Sequence, residues 1–150
     1  MDKAQKSLVD TYLRKRKIAI EQPNVFRTYL YRDYEIAYLI INDMYDISNI
    51  QRANIVSLIL HQPKVITKFD LSKLNYIEIM EILFEHHNLI DYFKPYLSKI
   101  TNGDDIANVM STLNEYDLAK YFDLSKLDSH NILSVITHNP KYIKYFDLFY

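Results

Sequence analysis

Apolar positions along this chain recur at separations of three and four rather than two, a period that predicts helices and not half-buried strands. Between 54 and 61, Ile55, Leu58 and Ile59 take that spacing with Leu60 beside them, and Asn54 or the Ser and Asn residues before it are the expected cap. Pro63 stops this helix, because proline lacks a backbone N–H. Proline also suits a first helical position, so a second short helix is predicted after it, with Val65, Ile66 and Phe69 on its apolar face. Asp70, Leu71 and Ser72 then form a connector whose polar side chains can bond local backbone, which predicts a tight or 3-10-like turn. Upstream, residues 5–20 predict an amphipathic helix with Leu8, Val9, Tyr12, Leu13 and Ile20 inward, ended at Gln22-Pro23. Residues 34–44 predict another, built on Ile36, Leu39, Ile40 and Tyr45.

The pattern repeats. The hexapeptide Phe-Asp-Leu-Ser-Lys-Leu stands at 69–74 and again at 122–127, and a related copy, Tyr-Asp-Ile-Ser-Asn-Ile, stands at 45–50. In a further copy Phe93 is followed by Leu97, Ser98, Lys99 and Ile100 after an insertion that holds Pro95, and Phe146, Asp147 and Leu148 make a truncated last one. The aromatic anchors Tyr45, Phe69, Phe93, Phe122 and Phe146 are therefore 24, 24, 29 and 24 residues apart. At an offset of 77, Asn54, Ile55, Ser57, Ile59, His61, Pro63, Lys64, Ile66 and Phe69 match Asn131, Ile132, Ser134, Ile136, His138, Pro140, Lys141, Ile143 and Phe146 without a gap. The second unit keeps Ile79, Ile82, Leu83, Leu89, Ile90 and Phe93 at the apolar positions. The third absorbs five extra residues, and its Asn102-Gly103-Asp104-Asp105 reads as a turn followed by acidic residues at a helix start.

A unit of this length cannot bury its own Leu, Ile and Phe faces, whereas stacked neighbours share a continuous core. The expected fold is therefore all-α: a short right-handed α/α solenoid of about four helical repeats with an N-terminal capping helix. One domain is expected over 1–150, with 1–44 as N-terminal helices plus a divergent first repeat and 45–150 as the helical repeats. A helical repeat of this length with Pro after its first helix resembles the leucine-rich-repeat-variant group and related short bacterial and phage α-helical repeats, over roughly 45–148. That resemblance implies a superhelix used as an interaction surface and no catalytic residues. The Phe-Asp-Leu-Ser-Lys-Leu linker departs from that group's pattern.

Composition narrows the function classes. Cysteine is absent, which excludes a disulfide scaffold, a Cys-based zinc site and a thiol nucleophile, and fits a reducing compartment. With 49% hydrophobic and 25% charged residues the chain is an ordinary globular one, and no apolar run approaches the ~20 residues of a membrane span. A soluble, cytoplasmic protein is expected. One glycine and four prolines disfavour hairpin-rich β folds. Abundant Ile and Asn, 14 Tyr and scarce Ala and Gly are the bias of an AT-rich genome, consistent with a virus, a phage or such a bacterium, so the host cytoplasm or a virion is the expected location.

Candidate chemistry is sparse. His61 and His138 share a repeat position, which points to a structural role at a helix C-terminus. His86 and His87 are adjacent and so point about 100° apart on a helix, and the sequence has no His-x-x-x-His or Glu-x-x-His pair. No metal site and no cofactor are expected. Glu78, Glu81 and Glu85 read as a solvated helix stripe, and a single glycine precludes a phosphate-binding Gly-rich loop. No enzymatic activity is expected.

Charge is polarised instead. Residues 1–32 hold eight basic side chains (Lys3, Lys6, Arg14, Lys15, Arg16, Lys17, Arg27 and Arg32) against three acidic ones, a net of +5, and the remainder carries −6. Arg14, Lys15, Arg16 and Lys17 suit nucleic-acid phosphate, an acidic protein face or an anionic surface, or else complement a helix dipole and dock on the chain's own acidic body. Tyr29, Tyr31, Tyr34 and Tyr38 cluster beside Arg27 and Arg32, a pairing enriched at interfaces. The apolar stretch Phe146, Leu148, Phe149 and Tyr150 lacks the polar cap that a solenoid end needs, which suggests docking or self-association. The expected function is a non-enzymatic protein–protein interaction or assembly module, a viral or phage structural component or host-factor inhibitor among the options. The alternative is a nucleic-acid-binding module led by residues 14–17. Candidate partner-binding residues are Arg14, Lys15, Arg16, Lys17, Arg27, Tyr31, Arg32, Phe146, Leu148, Phe149 and Tyr150.

Overall fold

A computed structural model describes residues 34–43, 47–48 and 50–146, and among these every regular element is helical. The chain divides into two compact units, Met1–Lys73 and Leu74–Tyr150. No helix among the described residues is long and apolar enough to cross a membrane.

The first unit contains α1 (Tyr34–Ile41) and α2 (Arg52–His61). Helix α1 buries Ala37 and Ile40 and stops three residues before the expected end, because Asp43 turns into the left-handed region at φ 58°. Asp tolerates that conformation better than a bulky residue does. Its carboxylate accepts from Lys68 Nζ at 3.0 Å, tying the end of α1 to the segment after α2. Helix α2 begins earlier than the apolar spacing indicates. Its N-cap is Gln51, whose side chain makes no capping bond, and Asn54 is the third helical residue, buried to 1% exposure, rather than the cap.

Pro63 ends α2 and opens a 3-10 helix, Pro63–Lys68, that packs on both α1 and α2 with Val65 and Ile66 sealed inside. The hexapeptide then makes a second 3-10 turn, Leu71–Lys73, in which Asp70 Oδ1 accepts from the Ser72 N–H at 3.1 Å and from its hydroxyl at 2.6 Å. The identical hexapeptide in the second unit repeats these bonds from Ser125 to Asp123 at 3.1 and 2.6 Å. Local side-chain chemistry sets this turn. The same Ser125 bonds hold the Asp123 carboxyl below its ordinary pKa.

The second unit contains α3 (Tyr76–Glu85), α4 (Ile90–Phe93), α5 (Gly103–Thr112) and α6 (Ser129–His138), joined by further 3-10 turns. Ile79, Ile82, Leu83, Phe93, Leu97, Ile106, Val109, Met110, Leu113 and Leu118 form its sealed core. Helix α3 starts with a full capping box between Asn75 and Glu78, so Glu78 is a helix-start residue and only Glu81 and Glu85 belong to the solvated stripe. The insertion around Pro95 becomes the 3-10 helix Lys94–Lys99. Asn102 caps α5 by accepting from Asp104 N at 2.8 Å and Asp105 N at 3.3 Å. Gly103 is the first residue of α5, and a Cβ there would collide with the Lys126 carbonyl oxygen and press on Asn131 Oδ1. The chain's lone glycine is thus required by close approach of the α5 start to the 3-10 turn Leu124–Lys126.

Candidate protein-interaction surfaces

Side-chain hydrogen bonds in the second unit connect residues about one repeat apart. Tyr142, buried in the 3-10 helix Pro140–Tyr145, donates its hydroxyl to Tyr116 O at 2.7 Å and accepts from the Leu118 N–H at 3.0 Å, separations of 26 and 24 residues. Asn139 donates to Asn114 O at 2.9 Å and Asn114 to His138 O at 3.3 Å. Tyr145 donates to Asp117 Oδ2 at 2.6 Å. That bond holds the Asp117 carboxyl below its ordinary value, and the same carboxylate raises the Tyr145 phenol. Burial raises the Tyr142 phenol as well.

Asn114, Asp117, His138, Asn139 and Tyr142 are among the residues that line a cavity of about 390 Å³. It resembles a polar site, yet its donors and acceptors are used in joining adjacent segments. His138 Nδ1 faces Ser134 O at 2.8 Å, as His61 Nδ1 faces Ser57 O at 2.8 Å, so both rings donate to a carbonyl one turn back at a helix C-terminus. Glu115 is engaged by His87 Nδ1 at 2.7 Å. Among the described residues there is no group of three or more metal-ligating side chains.

The helix stripes show which surfaces remain open. Counting from the first residue of each helix, positions 2, 5 and 9 of α5 are Asp104, Ala107 and Ser111. This stripe faces α6: Asn131 Nδ2 bonds Asp104 Oδ1 at 2.8 Å, and the Ser111 and Ser134 hydroxyls are 3.3 Å apart. With α3 on its other side, α5 buries Ile106, Ala107, Val109 and Met110. The same stripe of α6 is His130, Leu133 and Thr137, and all three are exposed, Leu133 to 65%. Ile132 and Ile136, equivalent to the sealed Ile106 and Met110, are only half-buried, and Ile143 in the next segment is 49% exposed. Helix α6 therefore carries an apolar face that no described residue covers.

On α3 the stripe is Ile77, Met80 and Phe84. With Tyr76, Glu81 and Asp105 of α5 these line an open groove of about 460 Å³. Asp105 occupies in α5 the third position that Asn131 holds in α6, but its counterpart across the seam is the apolar Ile77. The hydrogen bond that closes the α5–α6 seam has no equivalent here.

Of the sequence-derived candidates, Phe146 is described and half-buried. Arg14, Lys15, Arg16, Lys17, Arg27, Tyr31, Arg32, Leu148, Phe149 and Tyr150 lie outside the described residues, as do the helix expected at 5–20 and the anchor Tyr45. Sequence reasoning missed Ile77, Phe84, Leu133 and Ile143. A residue-by-residue alignment of helix stripes carries a faint signal for Leu133, which stands where α5 has Ala107. Comparison with protein-family models, with curated proteins and with solved structures returned no match.

Proposed function

We propose that the protein is a non-enzymatic α-helical repeat module of the short solenoid type, which binds another polypeptide or further copies of itself. Hydrogen bonds at separations of 23 to 28 residues, running from one repeat to the next within a unit, support a stacked-repeat reading. The observation that carries the functional reading is the face of α6 that no described residue covers. Leu133 and Ile143 are exposed there, on the stripe and segment that the preceding repeat closes with its neighbour. A helix of the same repeat class has the shape to cover that face. Burying the exposed parts of both side chains is worth about 2–3 kcal/mol, a useful core for an interface.

Light scattering at low and high salt, with and without a mixed DNA and RNA pool, tests this. The expected result is a salt-insensitive complex, formed with itself or a protein partner, that the Leu133→Ser/Ile143→Ser variant fails to form while its far-UV circular dichroism stays unchanged. A chain that remains monomeric, binds no protein and shifts only with nucleic acid at low salt overturns the reading in favour of the basic segment 14–17.

A further inference from the structure

We propose that the groove between α3 and α5 is a second docking site, distinct from the α6 face, for a peptide segment that carries a large apolar side chain beside a Lys or Arg. The groove has an apolar floor, Met80 and Phe84, and an apolar wall, Ile77, which stands 58% exposed. Its rim carries two carboxylates, Glu81 on α3 and Asp105 on α5, and neither is in an ion pair among the described residues. An apolar side chain seated on Met80 and Phe84 removes Ile77 from water. A neighbouring cation lies within reach of both carboxylates.

Charge complementarity selects this occupant. An acidic peptide would set its charge against Glu81 and Asp105, and like charges brought together at an interface are strongly unfavourable. A neutral apolar segment would leave both carboxylates partly desolvated without a partner. The next seam along the stack shows what closure by the chain itself requires. There, Asp104 meets Asn131 and Ser111 meets Ser134, whereas Ile77 and Phe84 offer Asp105 and Asn108 no hydrogen-bonding group. Among the described residues, the groove at the α3–α5 seam is therefore closed neither by a polar tie nor by a covering side chain. An open groove of about 460 Å³ lined by residues of two helices matches the way amphipathic segments lie in hydrophobic grooves.

The experiment is to pan a random peptide library displayed on phage against the full chain and measure the selected peptides by fluorescence anisotropy. The expected peptides place Lys or Arg within one helical turn of Leu, Ile, Phe or Met and bind more weakly as salt rises. The Glu81→Gln/Asp105→Asn variant, which keeps the shape and removes the charge, is expected to weaken them about tenfold. Ile77→Ser is expected to weaken them to a similar degree, and Leu133→Ser to leave them unchanged. No enrichment, selected peptides without basic residues, or full affinity for the charge-neutral variant would each overturn the proposal. So would a fall in the solution mass of the chain on Ile77→Ser, which would make a second copy the occupant. Because Leu133→Ser probes only the α6 face, failure here and failure of the functional reading above are separable.

Discussion

Replacing Tyr142 by Phe removes one oxygen and leaves the ring in place, which makes it the sharpest test of how neighbouring segments of the second unit are joined. Tyr142 is 1% exposed, and its hydroxyl both accepts from the Leu118 N–H at 3.0 Å and donates to the Tyr116 carbonyl at 2.7 Å. Leu118 is itself sealed, so its N–H has no water to turn to, while the half-buried Tyr116 carbonyl can recover one. An unsatisfied buried donor costs about 1–3 kcal/mol, so the variant is expected to lose about 2 kcal/mol, or about 4–8 °C of melting temperature for a chain this size. Urea denaturation gives the energy, and amide exchange at Leu118 reports locally, with protection falling most at that amide. The raised phenol adds a pH signature. Its folded value lies above the ordinary 10.0, so the stabilisation is fully present below pH 10.0 and is lost as pH rises through the folded value. The wild-type advantage over Tyr142→Phe should shrink in that alkaline window. A loss below about 0.5 kcal/mol with unchanged Leu118 exchange would refute the reasoning, because water would then be replacing the hydroxyl freely.

Gly103→Ala should destabilise by about 1–3 kcal/mol in urea, because the added methyl meets the Lys126 carbonyl, and an equal or higher midpoint would contradict that close approach. Asn131→Ala removes both the capping box with Asp128 and the bond to Asp104; a double-mutant cycle with Asp104→Ala should give a coupling of about 0.5–3 kcal/mol, and additive losses would argue against the bond. Asp117 titrates below its ordinary 3.8 chiefly because Tyr145 donates to it, so its contribution is present above pH 3.8 and is lost as pH falls through the lower folded value. The melting-temperature gap between wild type and Asp117→Asn should therefore close between pH 7 and about pH 2, and a constant gap would rule out this linkage.

Local chemistry was legible in the sequence because it acts over a few residues. The three-and-four apolar period placed α2, α3 and α6, and Pro63 marked a helix end and a 3-10 start through its missing N–H and fixed φ. The repeated hexapeptide foretold a repeated turn, since Asp and Ser two residues apart bond each other wherever they occur. The shared position of His61 and His138 likewise announced a helix-end role, seen in matching 2.8 Å contacts. Where the sequence misled, competing backbone geometry decided: Asp43 ended α1 early, and Gln51 rather than Asn54 stood at the α2 start. The surfaces were a different matter. Ile77 and Ile79 are equally apolar and two residues apart, yet one is 58% exposed and the other sealed, because only one faces a seam whose opposite side offers Asp105. Leu133 is exposed although Ala107 at the matching position is buried, because α5 packs between α3 and α6, whereas α6 packs on α5 and on the short 3-10 helix Pro140–Tyr145, and neither of these covers Leu133. Hydrophobicity is a property of the residue and periodicity a property of the segment. Exposure depends on which helix lies across the seam, and that is settled only when the helices pack.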